Sequence, residues 1–158
     1  MIKIKIICVG KLKENHYISA FSEYEKRLKP YCKLEVCELR EQKPASSKTQ
    51  ISLALKREAA EIRGNIPDGA YIIPLCIEGK QISSIEFADR LSDLSSKGIS
   101  CFCFIIGSSN GLDETIKKTG DISFSMSKMT FPHHLARVML AEQIYRAIMI
   151  NEGSKYHK

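Results

Sequence analysis

The chain has 158 residues, of which 44% are hydrophobic and 27% are charged, and its formal net charge is +6. These values are ordinary for one soluble globular domain spanning 1–158, large enough to bury a substantial core. The positive charge favours a polyanionic partner only mildly, because basic surfaces also occur on proteins that bind no nucleic acid.

The first half of the chain predicts two strands and two helices. These are a strand ending at Gly10, a helix over 14–29, a short strand through 34–39, and a helix from 51 to 62 closed by Gly64. The helices follow from apolar residues that recur every three or four positions, and the first strand follows from alternation of Ile and Lys. The segment 41–48, which contains Pro44, is expected to be a polar loop.

The second half predicts three strands and three helices. In order they are a buried strand over 70–77, a turn at 79–80, a helix from the Ser83 capping box to Gly98, a central strand over 99–106, a short helix over 113–118, a strand over 122–127 and a long helix over 135–150. Pro74 is awkward inside its strand, because proline removes a ladder donor. The inner stripe of the long helix is expected to be Leu135, Val138, Met139, Tyr145, Ile148 and Met149.

Strands that alternate with helices predict an α/β fold with a mostly parallel sheet and helices on both faces. Six cysteines form no Cys-x-x-Cys pair and have no histidine at zinc-ligand spacing, so we expect reduced, buried thiols and no metal site. The charged N-terminal run is a strand rather than a signal peptide, and no run approaches a membrane span. The expected location is the cytoplasm, with no membrane contact.

Three polar loops follow apolar strands, at 77–80, 107–111 and 126–131. Because parallel strands end at the same edge of a sheet, these loops should converge there. The Gly-Ser-Ser-Asn-Gly loop at 107–111 is neither a P-loop nor a dinucleotide fingerprint, and it could be only a tight turn. A small, partly apolar ligand held by backbone groups is the ligand that fits best.

The long helix and the C-terminal tail carry the remaining candidate groups. Arg137 lies one turn from His133, which could alternatively be a solvated or capping side chain. Glu142 and Arg146 have the spacing of an ordinary helix-surface ion pair. The tail ends in Tyr156, His157 and Lys158, a stacking ring, an imidazole and a cation that suit a base and its phosphate.

Several motifs, in order along nearly the whole chain, carry a resemblance to a known family. They are Val9–Lys13, Tyr24–Leu28, Glu78–Lys80, Ile105–Gly107 with Asn110–Leu112, Leu135–Val138 with Glu142–Arg146, and, most specific, Ser125–His133 and the terminal Tyr-His-Lys. On these residues the chain resembles the ribosomal RNA large subunit methyltransferase H family of the SPOUT superfamily of knotted methyltransferases. The resemblance implies a deep trefoil knot over roughly 70–158, which composition and periodicity do not predict.

The resemblance also implies a homodimer with an active site shared between subunits, and S-adenosylmethionine as the cofactor. The substrate it implies is a pseudouridine in 23S rRNA of assembled ribosomes, methylated at N3. The cofactor-binding residues carried over are Leu75, Gly107, Met126, Ser127, Lys128, Met129, Thr130 and Phe131. The catalytic residues expected are His133, Arg137, Tyr156, His157 and Lys158.

The chain departs from the family pattern at two places. Ser108 stands where family members commonly have a second glycine, and a serine disfavours positive φ. The strand at Pro74–Cys76 lacks an expected acidic side chain, for which Glu78 is a possible substitute.

The transfer needs in-line alignment and loss of the N3 proton. His133 and His157 are candidate bases, whereas Arg137 or Lys158 could instead stabilise the imide anion. Two other functions stay open at this point: a non-catalytic RNA-binding or ribosome-assembly protein, and a SPOUT methyltransferase acting on another RNA base.

Overall fold

The computed structural model describes residues 1–43 and 46–158, so Pro44 of the predicted polar loop lies outside the described residues. The elements in chain order are β1 (Ile2–Val9), α1 (Asn15–Leu28), β2 (Cys32–Leu39), α2 (Lys48–Asn65), β3 (Tyr71–Lys80), α3 (Ser84–Ser96), β4 (Cys101–Ile106), α4 (Glu114–Thr119) and α5 (His133–Asn151). The capping box predicted at Ser83 is present, since Ser83 and Glu86 cap each other's backbone N–H groups.

The four strands form a parallel sheet in the order β2-β1-β4-β3. Alternate residues of β1 point to opposite faces. Ile4 and Ile6 pack in a core with residues of α1, α3 and α5. Ile7 and Val9 pack in a second core with residues of α2 and α4. The predicted α/β fold, with a parallel sheet covered on both faces, is therefore confirmed.

The third strand differs from the prediction in burial and in length. β3 is an edge strand, half-buried along much of its length, and Ile77 is 56% exposed. Only one side of it carries a regular ladder, to β4, so the missing donor of Pro74 is tolerated. The predicted turn at 79–80 is wrong, because β3 continues to Lys80. Gly79 passes so near Phe124 that a Cβ there would lie 2.6 Å from its carbonyl carbon.

The strand predicted over 122–127 is also wrong. Phe124 makes isolated bridges to Leu75 and to Lys80, two points on β3 that are separated by five positions. Ser125 N donates to Lys80 O at 3.0 Å, and Lys80 N donates to Ser123 O at 2.8 Å. The segment therefore finds partners at two separate points of β3, and a continuous ladder does not form.

The inner stripe predicted for the long helix is wrong in register. Of the six residues predicted, only Met149 is buried. The buried residues are Arg137, Leu140, Ala141, Ile144, Ala147 and Met149. Small Ala141 and Ala147 let the helix lie close against its neighbours, and α1 and α3 cover its flanks. Every residue from 133 to 150 is at least half-buried, so bulk and hydrophobicity alone do not mark the inner face.

A single domain and a trefoil knot over roughly 70–158 stay predictions. No helix in the described part of the chain combines the length and the apolar character needed to cross a membrane.

Candidate active site

A cavity of about 730 Å³ opens at the carboxyl edge of the sheet. Its walls come from the end of β3, from the loop that follows β4, and from the segment that leads into α5. The convergence of these three regions, which the strand ends predict, is confirmed. A volume of this size falls within the range of roughly 300–1,000 Å³ typical of small-molecule sites.

Most of the predicted cofactor-binding residues lie on the walls of this cavity. Those that line it are Leu75, Gly107, Met126, Ser127, Met129, Thr130 and Phe131. Lys128 is exposed and is not among the lining residues. Local hydrogen bonds shape the segment: Ser125 Oγ donates to Ser127 O at 2.9 Å, and Ser127 Oγ accepts from Met129 N at 3.0 Å. Cofactor binding by these residues stays a prediction that their placement supports.

The loop from Gly107 to Gly111 closes on itself at the back of the cavity. Gly111 N donates to Ser108 O at 2.9 Å, and Gly111 has a φ of 84°. A Cβ at position 107 would lie 2.2 Å from Gly111 O, so only glycine fits there. The departure at Ser108 causes no backbone strain, because no non-glycine residue in the described ranges has a positive φ.

At the second departure from the family pattern, around Cys76, the nearby acidic residue Glu78 is bonded to a lysine. Cys76 is half-buried and lines the cavity, as does Glu78 two positions later. Glu78 accepts a hydrogen bond from Lys117 Nζ, and that bond lowers the pKa of the Glu78 carboxyl. The Glu78 carboxylate that was considered as a substitute for the missing acid is therefore paired with a lysine in this structure.

His133 and Arg137 occupy different environments although they are one turn apart. His133 lines the cavity, and its Nε2 is buried without a hydrogen-bond partner. Burial, helped by the neighbouring His134, lowers the pKa of His133, so its imidazole is neutral at physiological pH. Arg137 is 2% exposed and does not line the cavity. Its guanidinium donates to Glu38 Oε1 and, at 2.8 Å, to Gly10 O, so it ties α5 to the turn after β1.

The C-terminal tail folds back on the middle of α5. Tyr156 OH donates to Glu142 Oε1 at 3.2 Å, and the Arg146 guanidinium lies 4.7 Å from the centroid of the Tyr156 ring. Arg146 also approaches His157 Nδ1 at 3.3 Å, whereas Lys158 is exposed. The predicted ion pair between Glu142 and Arg146 is confirmed, and it is also the surface on which the tail rests.

The structure also brings in residues that sequence reasoning missed. Glu38, Glu41 and Glu58 all accept hydrogen bonds from groups beside the cavity. Glu58 had a detectable signal, since it falls on the same helical stripe as Ile51, Leu55 and Ile62. Within the described residues no three His, Cys, Asp or Glu side chains come together as metal ligands.

Residues 2–157 match the family described as "Predicted SPOUT methyltransferase". The ribosomal RNA large subunit methyltransferase H of Streptococcus pyogenes (serotype M5) is 45% identical over 158 residues, which cover 99% of each chain. The protein of the same name from Streptococcus suis is 46% identical over 158 residues, again 99% of each chain.

Solved structures share the fold at low sequence identity. A probable methylase family protein from Haemophilus influenzae superposes with a TM-score of 0.54 and 14% identity, over 97% of this chain and 67% of the other. The tRNA (m1G37) methyltransferase of Aquifex aeolicus gives a TM-score of 0.50 and 16% identity, over 91% and 69%. The chain therefore has the fold of these proteins and, as the match over 2–157 and the 45% identity to relatives establish, belongs to the SPOUT methyltransferase family, in the group of ribosomal RNA large subunit methyltransferase H.

Proposed function

We propose that this protein is an S-adenosylmethionine-dependent methyltransferase that modifies N3 of a pseudouridine in 23S rRNA of assembled ribosomes. The observation that carries the proposal is the cavity at the carboxyl edge of the sheet, walled by the end of β3, the loop after β4 and the segment that leads into α5. The names of the 45–46% identical relatives support ribosomal RNA as the substrate. The site of action is the cytoplasm, where assembled ribosomes are found.

The chemistry of the cavity walls fits S-adenosylmethionine. Leu75, Met126 and Phe131 offer apolar surface to a planar adenine, and Ser109 and Thr130 offer hydroxyls to a ribose. The bound cofactor supplies an electrophilic methyl group on a sulfonium. Gly107 allows its loop to turn back closely on itself, since any side chain there would collide with Gly111.

In this proposal His133 takes the N3 proton, and it does so through Nδ1, because its Nε2 is buried. It lines the cavity, and its lowered pKa keeps the imidazole neutral and able to accept a proton at physiological pH. Arg137 acts at a distance in this proposal, because its guanidinium is committed to Glu38 and Gly10 and holds the start of α5 in place.

We propose a homodimer in which the tail of one subunit completes the cavity of the other. The tail of the same chain rests on Glu142 and Arg146, whereas Ala136 is the last residue of α5 that lines the cavity. From Ala136 to Arg146 the helix rises by about 15 Å, so the tail in this position stands well away from its own cavity. In the partner's cavity, Tyr156 and His157 would stack on the base, and Lys158 would contact its phosphate.

Two measurements test the proposal in sequence. Calorimetric titration of the purified protein with S-adenosylmethionine should show binding at one site per chain. Absence of binding would refute methyl transfer and favour a non-catalytic RNA-binding or ribosome-assembly role. Mass mapping of nucleosides in a strain that lacks the protein should then show one pseudouridine of 23S rRNA without its methyl group. Loss of a methyl group from another base, or from tRNA, would assign a different RNA substrate.

A further inference from the structure

Glu58 on α2 is a buried carboxylate whose ionisation no cation stabilises directly. It is 3% exposed, and no Lys, Arg or His among the described residues forms an ion pair with it. Burying a carboxylate in this way is costly unless hydrogen bonds compensate for the lost water. Burial accordingly raises the pKa of the Glu58 carboxyl.

The two oxygens of this carboxylate connect two separate segments. Oε2 accepts from Ser108 Oγ at 2.9 Å, and Oε1 accepts from Gln42 N at 3.1 Å. Ser108 is itself 5% exposed and belongs to the loop that lines the cavity. Glu58 therefore joins the cavity loop to the segment after β2 through α2, a helix that contributes no residue to the cavity wall.

The neighbouring serine is held in a similar way. Ser109 donates to Glu41 Oε1 through both its N–H, at 3.3 Å, and its hydroxyl, at 2.9 Å. The loop is thus attached to carboxylates at two consecutive positions, but only the Ser108 contact is buried. Because buried hydrogen bonds to an ionised group are stronger than exposed ones, the Glu58 contact should dominate in fixing the loop.

We propose that Glu58 is a positioning residue of the cofactor site, which acts by holding the hydroxyl of Ser108 and so fixing the cavity loop from Gly107 to Gly111. This role rests on the proposed binding of S-adenosylmethionine in that cavity. It also gives Ser108, the departure from the family's usual glycine, a specific function in this chain.

The test is a double-mutant cycle with Glu58→Ala, Ser108→Ala and the pair, in the full-length protein. The dissociation constant for S-adenosylmethionine should rise roughly tenfold in each single variant, and no further in the double variant, because both remove the same contact. The KM for S-adenosylmethionine should rise with it, while kcat on ribosomes changes less than threefold. Glu58→Gln should keep binding within about threefold of wild type, since its carbonyl accepts from Gln42 N and its amide donates to Ser108.

A matched control is Glu61→Gln on the exposed side of α2, which should leave binding unchanged. If wild type binds the cofactor and Glu58→Ala binds equally well, the positioning role is overturned. It is also overturned if the two losses simply add, or if Glu58→Gln fails as badly as Glu58→Ala. Should Glu58→Ala not fold, Glu58→Gln and Ser108→Ala still decide the question. Absence of binding in wild type would instead overturn the proposed function.

Discussion

Replacing Gly107 by alanine should distort the loop that lines the cavity after β4. The added Cβ would lie 2.2 Å from Gly111 O and 2.6 Å from its carbonyl carbon. Ordinary contact begins near 3.4 Å, so the two sides of the loop must separate by about 1.2 Å. The loop cannot yield freely, because Ser108 and Ser109 are bonded to Glu58 and Glu41.

The expected cost follows from this forced separation. Overpacking a close contact typically costs about 1–3 kcal/mol. If this energy is lost from the binding of S-adenosylmethionine by the 107–111 loop, the affinity should fall by roughly 5- to 150-fold. Calorimetric titration of Gly107→Ala beside wild type measures the loss directly.

The control for this substitution is Gly64→Ala. Gly64 lies within α2, where an added Cβ would meet no atom within 4 Å. Replacing a helical glycine by alanine should raise the free energy of unfolding by up to about 1 kcal/mol and leave cofactor affinity unchanged. Wild-type affinity in Gly107→Ala would refute the inference that this loop forms the cofactor wall.

Three further predictions concern stability, pH and the tail. Arg137→Met should lower the free energy of unfolding by roughly 3 kcal/mol, because it leaves Glu38 without its ion-pair partner while only 28% of the Glu38 side chain is exposed. Lys97→Met removes an exposed ion pair and should cost less than about 0.5 kcal/mol. Urea denaturation of the two variants measures both losses. Folding lowers the pKa of His133, so the contribution of its neutral imidazole to stability is complete above the ordinary pKa near 6.5 and is lost as the pH falls through the folded pKa. His133→Asn should therefore show a smaller fall in Tm between pH 8 and pH 5 than wild type. An equal fall in Tm would refute burial of a neutral imidazole. Deleting 156–158 should abolish methylation of ribosomes while leaving S-adenosylmethionine affinity within about threefold, and a truncated protein that methylates at the wild-type rate would exclude the tail from the active site.

The parts of the fold that could be predicted are those in which local signals and burial agree. β4 is central and wholly apolar, and the Ser83 capping box starts α3 where the pattern places it. A strand at β3 was predicted correctly, but its full burial was not confirmed, because an apolar run does not indicate how many neighbours the strand pairs with. The strand predicted around Phe124 was wrong because its backbone partners lie at two separate points of β3, a long-range feature that alternation does not encode.

The candidate site divides in the same way. The meeting of the end of β3 with the loop after β4 follows from parallel strands that share an edge, and the family motifs mark most of the residues that line the cavity. The surroundings of His133 and Arg137 could not be predicted. The two residues lie one helix turn apart, and their burial differs because α5 packs against the turn after β1 through Arg137. The position of the tail on Glu142 likewise depends on a chain reversal after the helix.

The support of the cavity comes from a region that no family motif marks. Glu38, Glu41 and Glu58 all lie between the end of β2 and the middle of α2, and none of them lines the cavity. Each accepts a hydrogen bond from a part of the site that must stay in place: the guanidinium that anchors α5, and the hydroxyls of Ser109 and Ser108. Carboxylates suit this task because they bind donors strongly from outside the wall without occupying the cavity. Residues that shape the cavity of this chain should therefore be sought from the last residues of β2 to the middle of α2, as well as among those that line it.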